Sequence, residues 1–245
     1  MPAYDLGVLL DQTLGQLVPR DWNCKQPQKK EKVIPPRRIY LLDRKGSQQV
    51  EILLGMPTIA RNHRDWEALT TLADILGAGS GGRLFQDLRE RQGLTYGVYA
   101  QHKVRDGNSD LFVRMKTRPE KTAASLKGIQ AHIQRLIEEP VFPAEIKIAR
   151  SARKGKLTQQ LDTSYGRLAL NAYAHRFDLS LDQLLAPEDS LSPTQLQQVA
   201  ARYFSNPWHI ILVGDGKQVS DQLNQWFPNF EVVLVPAKTA MGFKP

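Results

Sequence analysis

Leu6, Leu9, Leu10, Leu14 and Leu17 recur at helical spacing, and the pattern predicts an amphipathic helix over residues 5–18 that Pro19 ends. The residues after it, up to about Arg37, carry no apolar period. Two short β-rich runs follow, Arg38–Asp43 and Gln48–Met56, parted by the turn-prone Lys45-Gly46-Ser47. Trp66, Leu69, Leu72 and Leu76 then mark a helix over His63–Leu76. The glycine-rich run 77–82 separates it from a second helix, Arg83–Gln92. Strands are expected at Thr95–Lys103 and Leu111–Thr117. In the latter, Leu111, Val113 and Met115 alternate with Phe112, Arg114 and Lys116, as a half-buried strand requires. From Pro119 the period is helical, with Leu126, Ile129, Ile133 and Leu136 in one stripe. Further helices are read at Pro143–Leu161, Ser164–Phe177, Ser180–Leu185 and Pro193–Phe204, the last capped by Ser192. A strand at Trp208–Val213 and a helix near Val219–Trp226 close the pattern. This order predicts an α+β fold, a largely antiparallel sheet packed against a layer of helices, and not a doubly wound nucleotide fold.

Composition bounds the function classes. The 245 residues suit one large or two small domains, and 41% hydrophobic with 24% charged residues is the balance of a folded soluble chain. No apolar run approaches the length of a membrane span, and the first residues lack a signal-peptide pattern. The compartment stays open between cytoplasm and periplasm. One cysteine, Cys24, leaves no disulfide framework. The net charge of +8 is concentrated: residues 20–45 hold nine basic and three acidic side chains, or +6, leaving +2 for the rest. That stretch also contains Pro27, Pro35 and Pro36, and reads as a solvated linker. Aromatic residues spaced to stack bases are missing from it, so nucleic acid is not an expected partner.

The glycine run Gly77-Ala78-Gly79-Ser80-Gly81-Gly82 fits G-x-G-x-x-G, but a helix precedes it where dinucleotide binding needs a strand. Arg83-Leu84 stands where a P-loop needs Lys-Ser/Thr. The run reads as a connection that lets two helices pack closely. No two of His63, His102, His132, His175 and His209 lie within five residues of each other, so neither H-E-x-x-H nor H-x-x-E-H occurs. No nucleophile elbow is present either.

The remaining motif runs from Arg83 to Val98. Leu84 and Leu88 lie one turn apart and face inward, Gly93 suits a helix C-cap, and Tyr96 opens the next strand. Arg89 and Tyr96, seven residues apart, can converge on one point, where a guanidinium would hold carbonyls and a phenol would donate to an oxyanion. The spacing leaves a second reading open: Arg89 in a surface ion pair with Glu90 or Asp87, and Tyr96 in the core.

Residues 79–98, Gly-Ser-Gly-Gly-Arg-Leu-Phe-Gln-Asp-Leu-Arg-Glu-Arg-Gln-Gly-Leu-Thr-Tyr-Gly-Val, resemble the signature of the pitrilysin/insulinase-type zinc peptidases, the family of mitochondrial processing peptidase. The order of elements over about residues 38–235 fits as well. The resemblance implies one half of a clamshell of two similar α+β halves that closes around an unfolded peptide. Its zinc-bearing half carries H-x-x-E-H; the other supplies an Arg and a Tyr seven residues apart, which Arg89 and Tyr96 match. This chain therefore looks like the C-terminal, non-zinc half, at 38–235. Residues 1–20 would be the last helix of the preceding half, 21–37 the basic linker and 236–245 a tail. A weak echo between Asp11-Gln12 and Asp221-Gln222, each within an amphipathic helix stopped by proline, fits that division.

The resemblance further implies no cofactor in this chain and zinc in a partner half or subunit. It implies an extended peptide as substrate, a possible homodimer, and no activity of the chain alone. Arg89 would hold the substrate backbone, and Tyr96 would stabilise the tetrahedral intermediate. The alternatives are a non-catalytic assembly subunit, like the core proteins of respiratory complexes, and a separate partner of a zinc-bearing subunit.

Overall fold

The computed structural model describes Gln12 and residues 37–105, 108–185 and 191–236. Residues 35–245 form one compact unit and residues 1–34 another, of which only Gln12, helical and exposed, is described. The expectations for residues 1–20, and for nearly all of 21–37 and 236–245, lie outside the described residues.

Six strands build the sheet: β1 (Arg38–Asp43), β2 (Val50–Thr58), β3 (Val98–Arg105), β4 (Asn108–Thr117), β5 (His209–Gly214) and β6 (Glu231–Pro236). Their order is β3-β4-β2-β5-β1-β6. The three contacts from β3 to β5 are antiparallel, whereas β1 runs parallel to both β5 and β6. The sheet is thus mixed. Helix α8 (Gly216–Trp226) carries the chain from β5 across β1 to β6, and such a crossover makes its strands parallel. β6 adds a strand to the five read from the sequence; Arg38–Asp43 matches its expected bounds.

The alternation read in the sequence sorts the two faces. Ile39, Leu41, Ile52, Leu54, Leu111, Val113, Ile210 and Leu212 are buried. The register puts them in rows, with Leu54 opposite both Ile210 and Val113, and Ile52 opposite Leu212 and Met115. On this face lie α1 (Trp66–Gly77), α3 (Thr122–Glu138), α7 (Pro193–Phe204) and α8, sharing one apolar core with the strands. Each fully buried leucine contributes roughly 1.5–3 kcal/mol. Helices α4 (Pro143–Leu161), α5 (Ser164–Arg176) and α6 (Leu181–Leu185) bury far less: α4 buries only Ile146 and Ala149.

Polar contacts hold α4 to the body instead. Arg153 donates to Asp74 at 2.6 Å, Glu67 at 2.9 Å and Thr71 at 3.2 Å. Burial raises the Asp74 carboxyl above its ordinary value, against the pull of Arg153.

The glycine run is a packing device. A Cβ on Gly77 would lie 2.4 Å from the Ala100 amide nitrogen, and one on Gly82 would lie 2.8 Å from the Gly77 Cα. The end of α1 therefore rests directly on the backbone of β3, a helix-on-strand contact rather than the close packing of two helices expected of this run.

Candidate functional site

Helix α2 (Phe85–Arg91), one turn beyond that run, is underwound. The Gln92 N–H reaches the Asp87 carbonyl at 3.0 Å, five residues back, so this turn holds one residue more than an α-turn. Gly93 (φ +59°) reverses the chain, and the Leu94 N–H bonds the Leu88 carbonyl at 2.8 Å. That cap resembles a Schellman closure, widened by the extra residue.

Several contacts fix α2. Leu84 and Leu88 are fully buried, and Leu88 packs over Gly128 of α3, where a Cβ would lie 2.5 Å from its Cδ2. Arg83 forms a two-pronged ion pair with Glu145 of α4, at 2.7 and 2.8 Å. His132 of α3 donates from Nε2 to Asp87 at 2.8 Å. Partial burial pushes the Asp87 carboxyl up, but hydrogen bonds from His132 and Gln92 outweigh it and leave it below its ordinary range. With those faces held, Arg89 projects outward. Its guanidinium carbon lies 4.5 Å from the Phe85 ring centroid, and its Nε lies 3.5 Å from Glu90.

Tyr96 does not open the strand, as the sequence reading has it; β3 begins two residues later, at Val98. The cause is Thr95. Its hydroxyl donates to the Lys116 carbonyl at 2.6 Å and accepts the Gly97 N–H at 3.1 Å. Those are backbone groups that a longer β3–β4 ladder would use. Thr117 adds a bond to the Leu94 carbonyl at 2.7 Å and accepts one from Ser125 at 3.1 Å. The loop is thereby pinned to β4 while Tyr96, at its tip, stands 89% exposed.

Arg89 and Tyr96 line the same open depression, of about 460 Å³, together with Gln49, Lys116 and Arg118. A second depression of about 350 Å³ shares Gln49, Thr95, Tyr96 and Lys116 and continues to Tyr99 and Arg114. Of the surface reading, Arg89 does pair with Glu90, but Tyr96 stands exposed and not in the core. Lys116, Arg118 and Tyr99 join the site without a motif to mark them in the sequence. For Lys116 the signal is the alternation of β4, which puts Arg114 and Lys116 on the face opposite Val113 and Met115; Tyr99 lies on β3 and Arg118 just beyond β4, where that alternation does not reach.

Among the described residues, no three His, Cys, Asp or Glu side chains come together as metal ligands. His132 faces Asp87, and the His63 ring accepts the Asp65 N–H at 3.1 Å. Both ring nitrogens of His102 are occupied, by Thr58 and Thr70, each at 2.9 Å. Cys24 lies outside the described residues. No described helix is long and apolar enough to cross a membrane.

The chain resembles known proteins in sequence and in fold. An uncharacterized zinc protease of Streptomyces coelicolor is 31% identical over 170 residues, 66% of this chain and 36% of that protein. This chain thus spans well under half the length of that relative. The crystal structure of a peptidase M16 inactive domain from Pseudomonas fluorescens superposes with a TM-score of 0.61 at 21% identity, over 74% of this chain and 45% of the other. A chain of complex III2 from Candida albicans, bound to Inz-5, has the same fold (TM-score 0.58, 11% identity, 78% of this chain and 49% of the other). Residues 8–153 match the family described as the Peptidase M16 inactive domain, and over that span, more than half its length, the chain belongs to this family.

Proposed function

We propose that this chain is the non-zinc half of a two-part peptidase and that it receives an extended peptide in the groove at Arg89 and Tyr96. In this reading residues 38–235 are the closing jaw, joined through the basic segment 21–37 to the terminal helix of a preceding half at 1–20, and 236–245 form a tail. One observation carries it: two side chains from different elements, each held by buried contacts beneath it, line one open groove.

The chemistry of the two groups suits that task. The Arg89 guanidinium keeps N–H groups beyond its contact with Glu90, and these can hold the carbonyls of a bound backbone. The Tyr96 hydroxyl has no hydrogen-bond partner among the described residues, so it is free to donate to an oxygen on which negative charge develops. The chain beyond Tyr96 enters β3, an edge strand, whose outer backbone groups can pair with an extended peptide with little sequence preference. The described residues of this chain bring together no set of ligands that fits a zinc ion. Binding and orienting the peptide, and stabilising charge on it, are what this chain contributes; the metal-bearing half must come from elsewhere in the protein or from a partner subunit.

The test mixes the chain with a zinc-bearing half and follows cleavage of an extended peptide, with and without chelator. Cleavage that needs both halves supports the reading; a zinc-bearing half that works equally well alone overturns it. The likeness to a chain of complex III2 favours one alternative, an assembly subunit without a catalytic role. That alternative expects a stable complex of the two halves with no gain in cleavage.

A further inference from the structure

We propose that the groove selects a peptide carrying a carboxylate, bound at Lys116 in the depression it shares with Tyr96 and Tyr99. This rests on the reading of the groove as a peptide site and adds the chemical class of side chain it prefers.

Four cations line the two joined depressions: Arg89, Arg114, Lys116 and Arg118. Three have acidic partners. Arg89 lies 3.5 Å from Glu90, Arg118 lies 3.3 Å from Glu120, and Arg114 is paired with Glu51. Glu51 is the residue directly opposite Lys116 in the β2–β4 register, yet its carboxylate goes to Arg114. Lys116 is left with no ion-pair partner among the described residues. It also lies where the depressions overlap, with Tyr96 and Thr95, so a chain laid along the groove passes it.

Both tyrosines line the same depression as Lys116. Tyr99 is 54% exposed, and its ring lies over Gly97, where a Cβ would sit 3.1 Å from the hydroxyl. Aromatic walls at that spot accept the methylenes of a side chain and leave its end to meet Lys116. A carboxylate there gains a charge-assisted hydrogen bond, a neutral amide gains less, and an ammonium is repelled. The carboxylate has two possible sources, an Asp or Glu side chain and a free C-terminus.

The experiment is fluorescence anisotropy on the full chain with short extended peptides bearing an uncharged coumarin label. One peptide carries an internal Glu and an amidated C-terminus, a second Gln in its place, a third Lys, and a fourth Gln with a free C-terminal carboxylate. The Glu peptide should bind about fivefold more tightly than the Gln amide. The preference should fade with rising salt, vanish in Lys116→Ala and turn toward the Lys peptide in Lys116→Glu. Lys116 is exposed, so Lys116→Ala should keep its circular dichroism spectrum and serve if the charge reversal folds poorly. A gain confined to the free-acid peptide assigns the site to a chain terminus. Equal binding of all four peptides, or a preference that survives Lys116→Ala, overturns the carboxylate site while leaving the peptide groove in place. Absence of saturable binding by every peptide overturns both.

Discussion

The imidazole of His102 lies against the indole of Trp66, with 4.0 Å between the ring centroids. Thr70 donates its hydroxyl to the Trp66 carbonyl at 2.9 Å, so toward His102 it can only accept. Nδ1 therefore carries the proton, and Nε2 accepts from Thr58. The hydrogen bonds select one neutral tautomer.

A pH dependence of stability follows. Burial, and then the positive charges of Arg153 and Arg61, lower the His102 pKa to about 4. In the unfolded chain the ring takes up a proton near pH 6.5. Between these values the unfolded state binds more protons, so stability is complete above pH 6.5 and falls as the pH drops toward 4. The loss should be about 3 kcal/mol. Urea denaturation from pH 7 to pH 4 should show it, and His102→Gln should flatten that part of the profile. An unchanged slope in the variant would refute the assignment.

Arg153 is one of two charged ties between α4 and the body, the other being Arg83–Glu145. Replacing Arg153 with Met leaves Glu67 and Asp74 without this partner in a partly buried site, at a cost of roughly 3 kcal/mol. The ordinary packing contacts of α4 are too few to compensate. Hydrogen exchange should locate the loss in α4 and α5 rather than in the sheet.

Gly77→Ala tests the contact between helix and strand. The new methyl would meet the backbone nitrogen of Ala100, which cannot swing aside as a side chain can. The gain in helix propensity, about 1 kcal/mol, is smaller than the cost of parting α1 from β3. A net loss of at least about 2 kcal/mol in thermal or urea unfolding is expected. Gly79→Ala, by comparison, meets no atom but suffers its positive φ, and should cost less.

In the assembled enzyme, Tyr96→Phe should lower kcat by about 100-fold with little change in KM, because only the hydroxyl is lost. Arg89→Ala should act mainly on KM. The exposed positions of both residues mean that neither variant should shift the unfolding midpoint much. If both variants turn over at the rate of the parent, Arg89 and Tyr96 have no part in the reaction.

Thr95→Val separates position from chemistry. It keeps the shape of the side chain and removes the bonds to Lys116 and Gly97. Activity should fall through Tyr96 without any change in the phenol itself, while stability drops by only about 1 kcal/mol. Thr95→Ser, which retains the hydroxyl, should restore activity.

Much of this architecture is legible in the residue pattern. Pro143–Leu161 and Pro193–Phe204 have the bounds their proline and cap residues announce, and the alternation of β4 gives its two faces correctly. β6 is harder: Val232–Val235 is apolar without alternation, and it becomes a strand because β1 offers a free edge. The site is half legible. Periodicity puts Arg89 on a helix, but the extra residue in the turn leaves no mark on leucines already four apart. Alternation carries β3 through Tyr96, because a threonine hydroxyl that replaces a ladder bond is invisible to a pattern of apolar positions.

The wide turn of α2 makes the interval from Arg89 to Tyr96 a matter of counting. Each residue of an ordinary helix turns the chain by about 100°. Deleting one residue of 85–88 while the turn keeps its wide pitch would swing every later side chain by that angle. The guanidinium would then leave the groove although no residue that lines it had been substituted. Insertions and deletions here should therefore abolish function far more readily than substitutions do, and the segment should tolerate changes of letter better than changes of length.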